Sequence, residues 1–255
     1  MRCSCPDLAA AVAVCLLMGI ANTAAQKESI VPVHQEPRHR MVFESSGIRI
    51  LDVQIPPGDT TLFHTHSDPI LYVTMSSSTT RTQSLGGEWN GAPAPGPAAS
   101  SPFKLAPSSP PGRMMSTTTY AERSLTHRVS NVGETLFRLI ATTNASPGDD
   151  STGPSLGFAE TPEITNRWFR GYRVIANGDG ASEHRHVNPV NVVLVSGRAS
   201  ATIGKATRTL DQLGQFAFIE PDVPHRLASV GGEAQLVEVE VRRPPRQDRA
   251  NLTAR

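Results

Sequence analysis

Beyond position 15 the chain contains no cysteine; Cys3, Cys5 and Cys15 all sit at its very start. A thiol nucleophile, a zinc–thiolate knot and a disulfide framework are therefore excluded for the body of the chain. Any metal there must be held by imidazole, carboxylate or water. Charge imbalance is also missing: 24 basic against 23 acidic residues give a net charge of +1, with no basic run and no helix-like charge stripe. That excludes nucleic acid and an anionic membrane surface as partners. No apolar run reaches membrane length. The longest, 8–20, is about 13 residues, short of the roughly 20 that a bilayer needs. Helical periodicity is scarce throughout.

What the start of the chain does have is the layout of a secretory signal peptide over residues 1–25. Arg2 supplies the positive end, 8–20 the apolar core, and Thr23-Ala24-Ala25 the small residues for cleavage. The mature chain is then expected to be secreted or periplasmic, with no membrane segment. Its net charge stays +1, since the leader carries one basic and one acidic residue, Arg2 and Asp7. About 230 residues remain, enough for two domains of ordinary size.

The apolar segments are short, β-branched and bounded by Gly, Pro, Asn and Asp: 48–55, 70–75, 136–141, 172–176, 190–195, 216–219 and 235–241. Many short strands at regular spacing predict an all-β antiparallel barrel or sandwich. An internal repeat sharpens this. His64-Thr-His66-Ser-Asp-Pro-Ile-Leu-Tyr-Val-Thr-Met-Ser-Ser77 aligns without a gap against His184-Arg-His186-Val-Asn-Pro-Val-Asn-Val-Val-Leu-Val-Ser-Gly197. Glu122-Arg-Ser-Leu-Thr-His127-Arg-Val-Ser-Asn-Val-Gly133 then aligns with Glu220-Pro-Asp-Val-Pro-His225-Arg-Leu-Ala-Ser-Val-Gly231. Two matching blocks in the same order make the chain a tandem duplication.

The expected layout is a first domain over 26–143, a linker over 144–162, a second domain over 163–243 and a polar, disordered tail over 244–255. The halves differ mainly in the distance from the second to the third histidine, 61 positions against 39. A proline-rich loop, 91–112, accounts for the excess and reads as a graft onto the first half. Its removal should leave that half folded. Asn144-Ala-Ser146 and Asn251-Leu-Thr253 fit a glycosylation sequon.

Six of the eight histidines fall in the repeated blocks. On a strand, His64 and His66 share a face, as do His184 and His186. His127 and His225, from a later strand, supply a third nitrogen to each pair. Three imidazoles converging inside a barrel suit a divalent transition metal and leave open positions for water or substrate. His34 and His39 have no repeat partner and read as surface residues.

These blocks resemble the cupin superfamily, whose first motif runs G-x5-H-x-H-x3,4-E-x6-G and whose second runs P-x-G-x2-H-x3-N. Gly58 and Gly178 stand six before His64 and His184, Gly197 fits the closing glycine, and Asn131 fits four after His127. Glu122 and Glu220 stand in place of the proline, Ser124 and Asp222 in place of the second motif's glycine. The resemblance implies a bicupin, two tandem double-stranded antiparallel barrels, each with a metal near its centre; cupins often pair through their sheets, so a homodimer is open. The motif's glutamate falls on Ile70 or Leu71 in one half and Val190 or Asn191 in the other. Neither half is therefore expected to form a three-histidine, one-glutamate site.

Tyr72, six residues after His66 on the same predicted strand, is the candidate acid or base, and Val192 takes its place in the second half. Arg128 and Arg226 directly follow the third histidine and should point away from it. In ligand set the chain is similar to cupin dioxygenases that use three histidines with Fe(II), so the resemblance implies Fe(II) first, with Mn, Ni or Zn as alternatives. Three functions are open: an Fe(II)-dependent dioxygenase-type enzyme acting on a small organic anion, a non-catalytic cupin binding a small ligand or metal, and a metal-dependent isomerase or lyase.

Overall fold

The computed structural model describes residues 29–91, 109–148, 157–178, 180 and 182–244. The leader, residues 92–108 of the proline-rich loop, 149–156 of the linker and the tail from 245 lie outside the described residues. Among the described residues the regular structure is β-strand, with two short 3-10 turns at Val33–Gln35 and Thr119–Ala121.

The first half contributes β1 (Ile30–Pro32), β2 (His39–Ser45), β3 (Ile48–Ile55), β4 (Phe63–His66) and β5 (Ile70–Ser76). It continues with β6 (Thr80–Ser84), β7 (Trp89–Gly91), β8 (Met114–Thr117), β9 (Leu125–Asn131) and β10 (Phe137–Asn144). They form two five-stranded sheets, β1-β4-β9-β6-β7 and β2-β3-β10-β5-β8. The second half adds β11 (Ile164–Thr165), β12 (Phe169–Ala176), β13 (Val190–Ser196) and β14 (Ala199–Ile203). It ends with β15 (Ala206–Leu210), β16 (Phe216–Ile219), β17 (His225–Ser229) and β18 (Ala234–Val241). Its sheets are β11-β12-β18-β13-β16 and β15-β14-β17. The chain is all-β, two tandem cupin-type barrels, as the motifs imply.

Pairing carries the duplication through. β10 lies between β3 and β5 as β18 lies between β12 and β13, with Ala141 opposite Tyr72 and Glu238 opposite Val192. One sequence expectation is corrected here. His66 and Tyr72 are not on one strand: the chain breaks at Ser67–Pro69, and β4 and β5 go to different sheets. Pro69 explains the break, because it has no amide N–H for a ladder.

The two barrels share a wall. Alternation on β5 sends Leu71, Val73 and Met75 outward to meet Phe169, Val193, Val195, Val237, Val239 and Val241 of the second half in one apolar cluster. The intervening residues line the barrels: Ile70 and Tyr72 in the first, Val192, Leu194, Ala234 and Leu236 in the second. This is sheet-on-sheet packing, and it makes the central strands apolar on both faces. At the rim of the shared wall Asp52 takes Arg138 at 2.9 Å and Arg40 at 3.0 Å, and Arg138 crosses to donate to the Leu213 carbonyl at 3.0 Å. Asn191 donates to Thr142 Oγ across it at 3.1 Å.

Both ends of the proline-rich loop are built into the structure, against the reading of 91–112 as a detachable graft. Gly91 closes β7. The Gly112 N–H donates to Thr74 O at 2.8 Å, and its own carbonyl accepts from Arg173 of the second half at 3.1 Å. The sequon at Asn144 is inaccessible in the folded chain, where its side chain is fully buried and donates to the carbonyls of Trp168 and Arg242.

Candidate metal centres

The ladder places the histidines. His64 is the register partner of His127 on β4 and β9, and His184 and His225 exchange backbone hydrogen bonds of 3.0 and 2.8 Å. The i, i+2 alternation then puts His66 and His186 on the same face as His64 and His184. The turn before His225 is held by Asp222, whose φ is +63° where the motif has glycine, and whose N–H donates to His186 O at 2.8 Å. Aspartate tolerates this left-handed conformation better than most residues.

In the second barrel His184, His186 and His225 surround the carboxylate of Glu238, all four buried and offering ligand atoms within 4.8 Å of one another. Their Nε2 atoms stand 3.3, 2.9 and 3.6 Å from Glu238 oxygens. His184 Nδ1 lies 3.1 Å from Ser182 O, and His225 Nδ1 3.2 Å from Val223 O. A carbonyl only accepts, so these Nδ1 atoms carry the proton and Nε2 keeps its lone pair for the centre. His186 Nδ1 faces Glu240 at 3.5 Å, and Glu240 also takes Asn188 at 2.7 Å, the Tyr172 hydroxyl at 3.2 Å and Arg170 at 3.6 Å. Phe158, from the segment between the barrels, stacks on His184 with ring centroids 4.2 Å apart.

The expectation that neither half holds a fourth, acidic ligand is corrected for this barrel. The carboxylate comes from β18 instead of the motif position. The signal was present in Gln235-Leu-Val-Glu-Val-Glu-Val241, where strict alternation sends the valines to the shared wall and both glutamates into the barrel. Burial alone would raise the Glu238 pKa, but the imidazoles of His184, His186 and His225 around it hold it well below the carboxylate range. Glu240 is likewise lowered against the effect of burial by its contacts with His186, Asn188 and Arg170. Desolvation would lower His186, yet the two flanking carboxylates push it up to about 9.

The first barrel is built differently. Ala141 stands where the second has Glu238, and no glutamate faces the histidines from β10. Burial first, and then neighbouring imidazoles, His39 among them, instead keep His64 at about 3, His66 at about 2 and His127 at about 4. His66 and His127 bring their Nε2 atoms to 3.1 Å, and His64 Nδ1 lies 2.9 Å from Leu62 O, freeing its Nε2. His39 is not a surface residue. It is buried on β2, offers a ligand atom within 4.8 Å of His64 and His66, and lies 4.4 Å from His64 by ring centroids. Its Nδ1 meets buried Glu36 at 2.7 Å. His34 remains half-buried and outside the cluster.

Tyr72 faces the barrel interior and hydrogen-bonds Tyr120, whose ring stacks on His66 at 4.9 Å. Burial, with Tyr120 adding to it, raises the Tyr72 pKa well above the ordinary phenol value. Arg128 lies over the Phe63 ring at 4.5 Å and the Trp89 ring at 5.1 Å, and Arg226 is exposed.

Both clusters fit a transition ion. His64 Nε2, His225 Nε2 and Glu238 Oε1 are buried without a hydrogen-bond partner, a state that costs free energy unless a ligand satisfies it. Two imidazole nitrogens 3.1 Å apart are both within reach of one ion at about 2.1 Å.

No protein-family model matches the chain, and no curated protein does. Among solved structures, AerE from Microcystis aeruginosa is similar over 78% of this chain and 90% of its own, with 11% identity and a TM-score of 0.51. A cupin 2 conserved barrel domain protein from Leptotrichia buccalis covers 79% and 87% at 8% identity and a TM-score of 0.49. An oxalate decarboxylase covers 77% and 69% at 11% identity and a TM-score of 0.48. At such identities the likeness is one of fold.

Proposed function

We propose that this two-barrel, metal-binding cupin is an exported Fe(II)-dependent oxidoreductase of the dioxygenase type, acting on a small organic anion in its second barrel. The observation that carries the reading is the convergence of three imidazole Nε2 atoms on the buried Glu238 carboxylate, with Ser182, Val223 and Glu240 at the other nitrogens. Imidazole with one carboxylate suits iron or manganese better than a thiolate-seeking ion, and four protein ligands leave positions for substrate and oxygen. Bound there, a divalent iron ion supplies Lewis acidity and one-electron chemistry toward dioxygen.

The chain's own residues do the rest. Glu238 reduces the charge of the centre from two to one, while Arg170 balances Glu240, so the site attracts an anion. Glu240 fixes the His186 ring and, with Tyr172 and Asn188, its orientation. Phe158 and the aliphatic wall of Val174, Val192 and Leu194 exclude water around it. Tyr72 has no part in this reading: its phenol stays protonated near neutrality and cannot act as a base there.

The test is anaerobic loading with Fe(II), followed by oxygen uptake across a panel of small carboxylates and thiolates. Substrate-dependent uptake that is lost in His186→Ala and retained in Tyr72→Phe is the expected result. Turnover that proceeds equally with zinc and without oxygen would make the chain an isomerase or lyase. Metal binding with no turnover of any panel member would make it a binding protein.

A further inference from the structure

The first barrel differs from the second in two ways that point the same way. The carboxylate of the centre is gone, with Ala141 at the position of Glu238. A fourth imidazole, His39, arrives from β2; among the described residues that stretch of the second barrel has no paired counterpart to it, β11 reaching only Arg170 and Gly171. Glu36, buried three residues before it, accepts from the N–H groups of Arg38 at 2.7 Å and Leu62 at 3.1 Å and from His39 Nδ1 at 2.7 Å. With Nδ1 committed to Glu36, the remaining lone pair of His39 is Nε2. This is the carboxylate–histidine arrangement that orients a metal ligand. His64 Nε2 is buried without a partner beside it.

We propose that the first barrel holds a four-imidazole metal centre in which the mutually close His39, His64 and His66 are completed by His127, whose Nε2 stands 3.1 Å from that of His66, with Glu36 buttressing His39. Its ligand is a divalent ion that favours nitrogen, copper(II), nickel(II) or zinc(II). Four protein ligands of one kind close a tetrahedral ion, so the site is structural and staples the N-terminal segment to the barrel. It shares with the proposed function only the premise that buried imidazoles here bind metal; it does not depend on what the second barrel catalyses.

The experiment uses the full chain with His184→Ala and His186→Ala, which confines added metal to the first barrel. Copper(II) at one equivalent is followed by electron paramagnetic resonance, where nitrogen superhyperfine splitting counts the imidazoles. The expected spectrum is that of four nitrogens. Adding His39→Ala should remove one nitrogen and weaken copper binding about 10–100-fold. His39→Asn covers the case in which alanine fails to fold, since its amide keeps a donor for Glu36 while deleting Nε2. An unchanged nitrogen count in His39→Asn overturns the proposal. So does a lack of copper binding in this background when the unmodified chain takes up one equivalent, a result that leaves the second-barrel reading standing.

Discussion

Loading the second barrel with metal should expel a proton near neutral pH. His186 is pushed up to about 9 by Glu238 and Glu240, so at pH 7 it is almost fully protonated, yet a ligand must offer a lone pair. The apparent affinity should therefore rise about tenfold per pH unit up to about 9, and at pH 7 it should stand about 100-fold below its limit. His66→Ala confines zinc to this barrel, and calorimetry in buffers of differing ionisation enthalpy counts the protons. About one proton per ion is the result anticipated at pH 7. The metal-free protein should respond in the opposite sense. A histidine whose folded pKa is raised contributes stability that is complete below its ordinary 6.5 and lost as pH rises through about 9. The shift of roughly 2.5 units corresponds to at most about 3 kcal/mol. Alkaline pH should thus weaken the apo fold while strengthening metal binding. A zinc affinity that stays flat from pH 6.5 to 8.5, or no proton released, would refute the assignment of His186 between two carboxylates.

Other consequences are open to simpler assays. Leu71→Ala, in the shared wall, should cost about 2–5 kcal/mol in urea unfolding and leave a single transition, since both barrels lose the same contact; two separated transitions would show the barrels to be independent. Asp52→Asn leaves Arg138 half-served at the rim of that wall and should cost about 2–3 kcal/mol, a loss that wild-type protein reproduces as pH falls below the ordinary aspartate range. Deleting 92–108 should preserve cooperative unfolding, whereas deleting 91–112 should lower the midpoint by removing Gly112 from between Thr74 and Arg173. Expressed in a host that glycosylates, the folded chain should carry no sugar at Asn144, as peptide mass mapping would show.

Much of this architecture was legible from the residues. Short β-branched segments gave the strands, and the gapless alignment of the histidine blocks gave the two barrels and all six repeated histidines. The acidic partners lie outside the motif's spacing. Glu238 reaches the centre through the pairing of β18 with β12 and β13, a long-range register that local spacing does not encode. Its alternation with valine was the one available clue. His39 is hidden for the opposite reason: the repeat reveals what the halves share, and His39 belongs to one only. The even spacing of Tyr72 from His66 carries no facing information, because Pro69 interrupts the strand between them.

β18 performs two tasks on its two faces. Val237, Val239 and Val241 close the wall between the barrels, while Glu238 and Glu240 face the second centre. A slip of one residue would reverse both at once, driving carboxylates into an apolar seam and valines among the imidazoles. Folding therefore proofreads the centre through the seam: a chain whose barrels have docked correctly has already set its acidic ligand, and one whose ligand is misplaced cannot dock.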